Sequence, residues 1–204
     1  ATKPDASGTT TALTETASLP QSYAGMNTNC IGFDSAKTQY LSGATSGSTT
    51  LSNNDTTITG WFYSTNNPAG TIVSKDTLTS TQTGYVLDAS VNGLRFRVGA
   101  TNGLGMPTTI TVSNLTTLTS NTWYFFCAQY SKTNYVRISL NDGAWGSNAW
   151  SAGYAPAPNA ASLKVGAQAY HLPPNVTARW FGMIDETAKW GRLLAASEVT
   201  CLYH

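Results

Sequence analysis

The sequence predicts an all-β protein, with two antiparallel sheets packed as a sandwich and one short helix at the C-terminus. Three observations carry the prediction. Short runs rich in Val, Ile, Thr, Tyr and Phe recur from residue 29 onward, separated by Gly, Asn, Asp and Pro turn signals. No long helical periodicity lies between them, which excludes alternating β-α-β units. The 204 residues are a normal length for one all-β unit and enough to bury a core.

The elements follow in order. Residues 1–24 form a Thr/Ser-rich arm without usable periodicity, a composition that ordinarily leaves a chain disordered. If ordered, such an arm lies on the sandwich or on a neighbouring subunit, so it reads as an assembly device, with residues 25–204 as the folded domain. Asn92-Gly93 marks a tight hairpin between Tyr85–Ser90 and Leu94–Val98. Leu94, Phe96 and Val98 then face inward, and Arg95 and Arg97 outward. Trp123–Tyr130 is an apolar strand. Tyr135–Leu140 carries the inward row Val136, Ile138 and Leu140, and Asn141-Asp142-Gly143 turns the chain. Residues 143–158 read as a long loop. Phe181–Trp190 suits a half-buried strand, with Met183 and Ile184 on opposite sides. In the closing helix, Ser197 is the expected N-cap and Glu198 sits in the first turn, where the helix dipole favours an acid. Val199 and Leu202, three apart, share a face.

Phe181-Gly182-Met183-Ile184-Asp185-Glu186, Trp190, Ser197-Glu198-Val199 and Leu202-Tyr203 resemble the closing pattern of laminin G-like domains, F-x-G-x-I-D-E-x-x-x-W and then L-S-x-x-E-V-x-x-L-Y. Earlier pieces stand in the same order as in that family: Phe33-Asp34, Tyr40-Leu41, Ile58-Thr59-Gly60-Trp61, Ile72–Lys75, Leu94–Gly99, Trp123-Tyr124, Val136–Asn141 and Leu163–Gly166. The resemblance covers roughly residues 29–203 and implies a jelly-roll sandwich of the concanavalin A-like lectin and glucanase superfamily. It also implies a place for one structural calcium, for which Asp185 is the best candidate ligand. The alternative is that Asp185 and Glu186 bond turn amides or nearby Arg and Lys side chains.

Charged residues are 10% of the chain, and 11 Lys and Arg nearly balance 10 Asp and Glu. No basic footprint for nucleic acid or an anionic membrane results. No apolar run approaches the roughly 18 residues of a span, and no basic and apolar leader stands at the N-terminus, so no membrane insertion is expected. The chain starts at Ala1, which fits a removed leader or initiator Met, or a piece of something longer. Thr, Ser, Asn and Gly supply the polar surface, which suits an extracellular or virion-surface protein. The 3 cysteines, Cys30, Cys127 and Cys201, indicate no disulfide framework. Cys127 reads as a buried hydrophobe, and a Cys30–Cys201 pair is left open. The sequons at Asn54, Asn114 and Asn175 matter only in a eukaryotic secretory host.

The carboxylates argue against catalysis. Glycoside hydrolysis needs two facing carboxyls, whereas Asp185-Glu186, adjacent on a strand, point to opposite faces. His171 and His204 stand in no nucleophile motif. Trp61, Trp123 and Trp190 fall in strand patterns and read as core. Trp145, Trp150 and Tyr154, on the long loop, suit stacking on a sugar or packing into a partner, with Tyr170 and His171 as further contacts. Pinning that loop to its own sheet is the other reading. The expected function is non-enzymatic recognition or adhesion, binding glycan or a surface protein through rim loops. The alternative is a virion decoration or fibre subunit that self-associates or meets a capsid or fibre partner through residues 1–24. A polysaccharide-cleaving enzyme, which requires clustered carboxylates in a groove, is third.

Overall fold

The computed structural model describes residues 2–3, 13–15, 21–25, 29–34, 36–37, 39–43, 49–51, 54–78, 82–150, 153–168 and 178–204. The strands are β1 (Thr2–Lys3), β2 (Leu13–Glu15), β3 (Gln21–Ala24), β4 (Asn29–Phe33), β5 (Leu41–Ser42), β6 (Thr56–Tyr63), β7 (Gly70–Leu78) and β8 (Gln82–Ser90). They continue as β9 (Gly93–Thr101), β10 (Pro107–Asn114), β11 (Trp123–Tyr130), β12 (Tyr135–Leu140), β13 (Gly146–Ala149), β14 (Ala155–Pro156), β15 (Lys164–Val165) and β16 (Gly182–Trp190). Helix α1 spans Ala196–Tyr203. Among the described residues, one sheet runs β1-β2-β5-β15-β7-β8-β9-β10, with β14 also paired to β9, and the other runs β13-β12-β11-β6-β16-β4-β3. Every pairing is antiparallel. The architecture is the two-sheet sandwich with a short C-terminal helix that the sequence predicts.

Alternation along the strands builds the core between the sheets. Ile58 and Phe62 of β6, Tyr124, Phe126, Ala128 and Tyr130 of β11, and Val136, Ile138 and Leu140 of β12 point inward. Opposite them stand Tyr85, Leu87, Leu94, Phe96 and Val98 from β8 and β9. Arg95 and Arg97, on the other face of β9, both grip Asp88, with Arg95 Nε to Asp88 Oδ1 at 2.8 Å and Arg97 Nη2 to Asp88 Oδ2 at 2.6 Å. Gly93 already pairs with Ser90, so the hairpin turn is Val91-Asn92, one residue earlier than Asn92-Gly93. Asn141 and Asp142, at φ 50° and 52°, supply the positive φ angles of the next turn.

The described parts of the arm take one of its two expected placements, and the expectation for residues 143–158 changes. The arm's described parts are strands of this chain's own sandwich: β1 pairs with β2, β2 with β5, and β3 with β4. Residues 143–158 are not one long loop, because β13 extends one sheet beside β12 and β14 lies along β9. Beyond β14, the Gly84 amide donates to Ala157 O at 2.7 Å, and Asn159 Nδ2 donates to Lys75 O and Thr83 O. Ladder hydrogen bonds hold such short edge strands without an apolar row, so neither segment carries the period-2 signal.

The closing helix also starts earlier than Ser197. Its N-cap is Ala195, which offers no side-chain acceptor, and Ser197 lies inside the first turn. Glu198 supplies what Ala195 lacks in part, since its Oε2 accepts the Ala195 amide at 2.8 Å. Leu194 places Ala195 where the family pattern L-S-x-x-E-V has Ser. Ala195→Ser should therefore stabilise the fold by about 1 kcal/mol, read as a raised midpoint in urea; an unchanged midpoint would count against Ala195 as the cap. The buried side of α1 is Val199 with Tyr203, one turn apart, while Leu202 is 36% exposed.

Candidate functional site

The outward side of the seven-stranded sheet carries a second aromatic cluster. Where β6 and β11 turn Phe62 and Phe126 inward, their neighbours Trp61, Phe125 and Cys127 must face out, and α1 with Leu194 covers them. Tyr203 stacks on Trp61 at 5.7 Å with an interplanar angle of 17°. β11 is thus apolar on both faces because both are buried. Around this cluster lie Trp123, Trp145 and Trp190, all half-buried. Burial on both sides pushes the Cys127 thiol up to about 12.

Trp190 ends β16, and its Nε1–H donates to Thr59 Oγ1 at 3.2 Å. The chain then turns through residues 191–195 into α1. Thr57 fixes that link by donating to Arg192 O at 2.8 Å and accepting from the Leu194 amide at 3.1 Å. Arg192 meets Glu198 in a two-pronged pair, Nη1 to Oε2 at 2.7 Å and Nη2 to Oε1 at 2.6 Å. The Arg192 guanidinium, assisted by the Ala195 amide, lowers the Glu198 carboxyl from 4.5 to about 2. The pair is therefore intact at neutral pH and through pH 4.5, and is lost only as pH falls through about 2. Between these residues is an open groove of about 290 Å³, lined by Trp190, Arg192, Leu194, Ser197, Glu198, Cys201 and Leu202. It combines an aromatic and aliphatic wall with a fixed charged fork at its rim.

Among the described residues singled out by the sequence, Trp150 and Tyr154 stand together and Trp145 stands apart from them. Trp150 is buried at 5% exposure, edge-on to Tyr130 at 4.9 Å, and donates Nε1–H to Tyr154 O at 3.1 Å. The expectation of an exposed ring at Trp150 is corrected, and the other reading, a ring pinning its segment to the sheet, describes it. Tyr154 is half-buried against the same core. Trp145 packs on the separate outer cluster, with the Arg137 guanidinium 4.2 Å from its ring centroid. Tyr170 and His171 lie outside the described residues.

Asp185 is 7% exposed, accepts the Glu186 amide at 2.9 Å, and packs against Gly25, where an added Cβ would overlap its Oδ2. The strand bulges just beyond it, between Asp185 and Ala188. No group of three or more His, Cys, Asp or Glu side chains converges among the described residues. The observed amide bond fits the turn-bonding alternative for this residue. Cys30 and Cys127 are buried and Cys201 is exposed, and no disulfide joins Cys30 to Cys201.

The groove was missed because its parts are read separately in sequence. Trp190 passes for a core residue, and Arg192 and Glu198 are joined only by the turn into α1. The available signal was Glu198, placed to reach back to the N-cap amide as an N3 acid does.

A family model described as the concanavalin A-like lectin/glucanases superfamily, Laminin_G_3, matches residues 34–200, and the chain belongs to this family. No curated protein matches the chain. Among solved structures, it is similar to the binding domain of Paraclostridial Mosquitocidal Protein 1, with a TM-score of 0.73 and 16% identity over 98% of this chain and 48% of that one. The botulinum neurotoxin serotype G binding domain gives a TM-score of 0.70 and 14% identity, over 98% of this chain and 47% of that one. A structure of botulinum neurotoxin type C, whose cell entry is dependent upon interaction with two ganglioside molecules, gives a TM-score of 0.66 and 12% identity, over 98% of this chain and 47% of that one. The chain thus spans about half the length of these domains. At such identities the likeness establishes the fold alone.

Proposed function

We propose that this protein is a non-enzymatic recognition module that binds glycan in the groove between β16 and α1, displayed outside the cell or on a virion. The observation that carries the reading is the pairing of an aromatic wall, Trp190, with the locked Arg192–Glu198 fork. A pyranose has an apolar C–H face that stacks on an indole and hydroxyls that bond a charged donor and acceptor together. Glu198 is the one carboxyl among the lining residues, and hydrolysis of a glycosidic bond uses two, which favours binding over cleavage. Botulinum neurotoxin type C, a structure of which shares the fold, depends for cell entry on interaction with two ganglioside molecules, which supports a glycan as ligand. The virion-subunit alternative drew on an arm in need of a partner, yet its described strands already pair with β4 and β5 of the same chain.

Arg192→Ala should reduce glycan-array signal about tenfold or more, the effect of losing a charged hydrogen bond of about 1.5–3 kcal/mol. Its thermal midpoint should move little, since exposed ion pairs contribute about 0–1 kcal/mol. Undiminished binding by a folded Arg192→Ala variant would sink the groove as the site.

A further inference from the structure

We infer that the tip of the β9–β10 hairpin is a shallow docking point for a zwitterionic lipid bilayer. Leu104 is 87% exposed and Met106 59% exposed, two residues apart on the turn between the strands. The turn is closed on itself. The Asn102 amide donates to Met106 O at 2.8 Å and the Gly105 amide to Asn102 O at 2.8 Å. Asn102 Oδ1 in turn accepts the amides of Leu104 at 3.0 Å and Met106 at 2.9 Å.

Two properties of this tip select a lipid surface over other occupants. Its polar amides are largely satisfied within the turn, so entering a poorly hydrated layer leaves few donors unmet. No charged residue occurs between Arg97 and Lys132, and none between Asp142 and Lys164, the stretch that supplies Gly153 beside Gly103. These two stretches therefore bring no charge to the tip, matching a zwitterionic rather than an anionic headgroup layer. A protein partner requires a contact of about 800 Å² per side, whereas two side chains on a projecting turn offer a wedge that needs no matching pocket. This inference is independent of the glycan groove. It departs from the expectation of no membrane insertion, which weighed long apolar runs and net charge and so could not register two residues at a hairpin tip.

The test is sedimentation of the intact chain with phosphatidylcholine vesicles that carry no glycan, alongside the variant L104S/M106S. The native chain should co-sediment, and the variant should lose binding about tenfold, as removal of two exposed apolar anchors implies. The thermal midpoints should be equal, because both side chains are exposed, and Arg192→Ala should bind vesicles like the native chain. Failure of the native chain to co-sediment would overturn the inference, as would equal binding by the variant. A native dimer in sedimentation velocity that the variant abolishes would overturn it too, by assigning the tip to a second copy.

Discussion

Trp150→Ala is expected to lower the unfolding free energy by about 3–5 kcal/mol, the range for removing a large buried ring whose cavity cannot collapse. The ring is held on three sides. Tyr130 meets it edge-on at 4.9 Å, Tyr154 lies 6.2 Å away at 79°, and its own amide is tied to Asn134 O at 2.9 Å. Its indole N–H also satisfies the Tyr154 carbonyl, so truncation removes a hydrogen bond along with the packing. Trp145→Ala provides the contrast. That ring is half-buried and loses part of its packing on the outer cluster together with its contact with the Arg137 guanidinium, the latter about 0.5–1 kcal/mol. Urea denaturation of the two variants measures the difference; similar losses would show that Trp150 is not the more deeply packed ring.

Gly182→Ala should cost about 2–6 kcal/mol, combining backbone strain with overpacking. Gly182 opens β16 at φ 141°, a region that residues with a Cβ rarely adopt. A Cβ there would overlap the Tyr63 carbonyl oxygen and stand 2.8 Å from Ser64 Cα. Neither obstacle can swing aside, because both belong to backbone, and Ser64 is itself anchored by its hydroxyl to Phe181 O at 3.1 Å. The glycine of the Phe181-Gly182-Met183-Ile184-Asp185 run thus marks the close approach of the start of β16 to the end of β6, its antiparallel neighbour. A loss below about 1 kcal/mol in chemical denaturation would mean that the strand shifts to relieve the contact.

Where side chains alternate, the sequence disclosed the fold. Leu94, Phe96 and Val98, like Val136, Ile138 and Leu140, are buried rows whose period is that of the strand itself. Elements held chiefly by main-chain bonds left little trace: β13 is Gly-Ser-Asn-Ala and β14 is Ala-Pro, yet both pair with longer strands. The helix was visible through Glu198 and Val199, but Ser197 drew its start two residues too late because Ala195 leaves the cap position without the usual oxygen. The site was the least legible part. Trp150 looked like a loop aromatic and proved to be core, whereas Trp190 looked like core and borders a groove. A tryptophan's neighbours in the chain do not tell which of its faces a distant helix will cover, and here α1 covers Trp61 while leaving Trp190 beside open space.

The central claim is that glycan occupies the groove beside α1, and Cys201 gives direct access to it. Cys201 lines the groove and is exposed, whereas Cys30 and Cys127 are 1% and 0% exposed and the Cys127 thiol is raised to about 12. Iodoacetamide at mildly alkaline pH should therefore alkylate Cys201 alone in the folded chain. The measurement is saturation-transfer NMR from the protein to an array-selected glycan, before and after that alkylation. Transfer concentrated on the C–H face of one pyranose and lost on alkylation is the predicted result; transfer that persists unchanged with Cys201 blocked would place the glycan elsewhere and contradict the account.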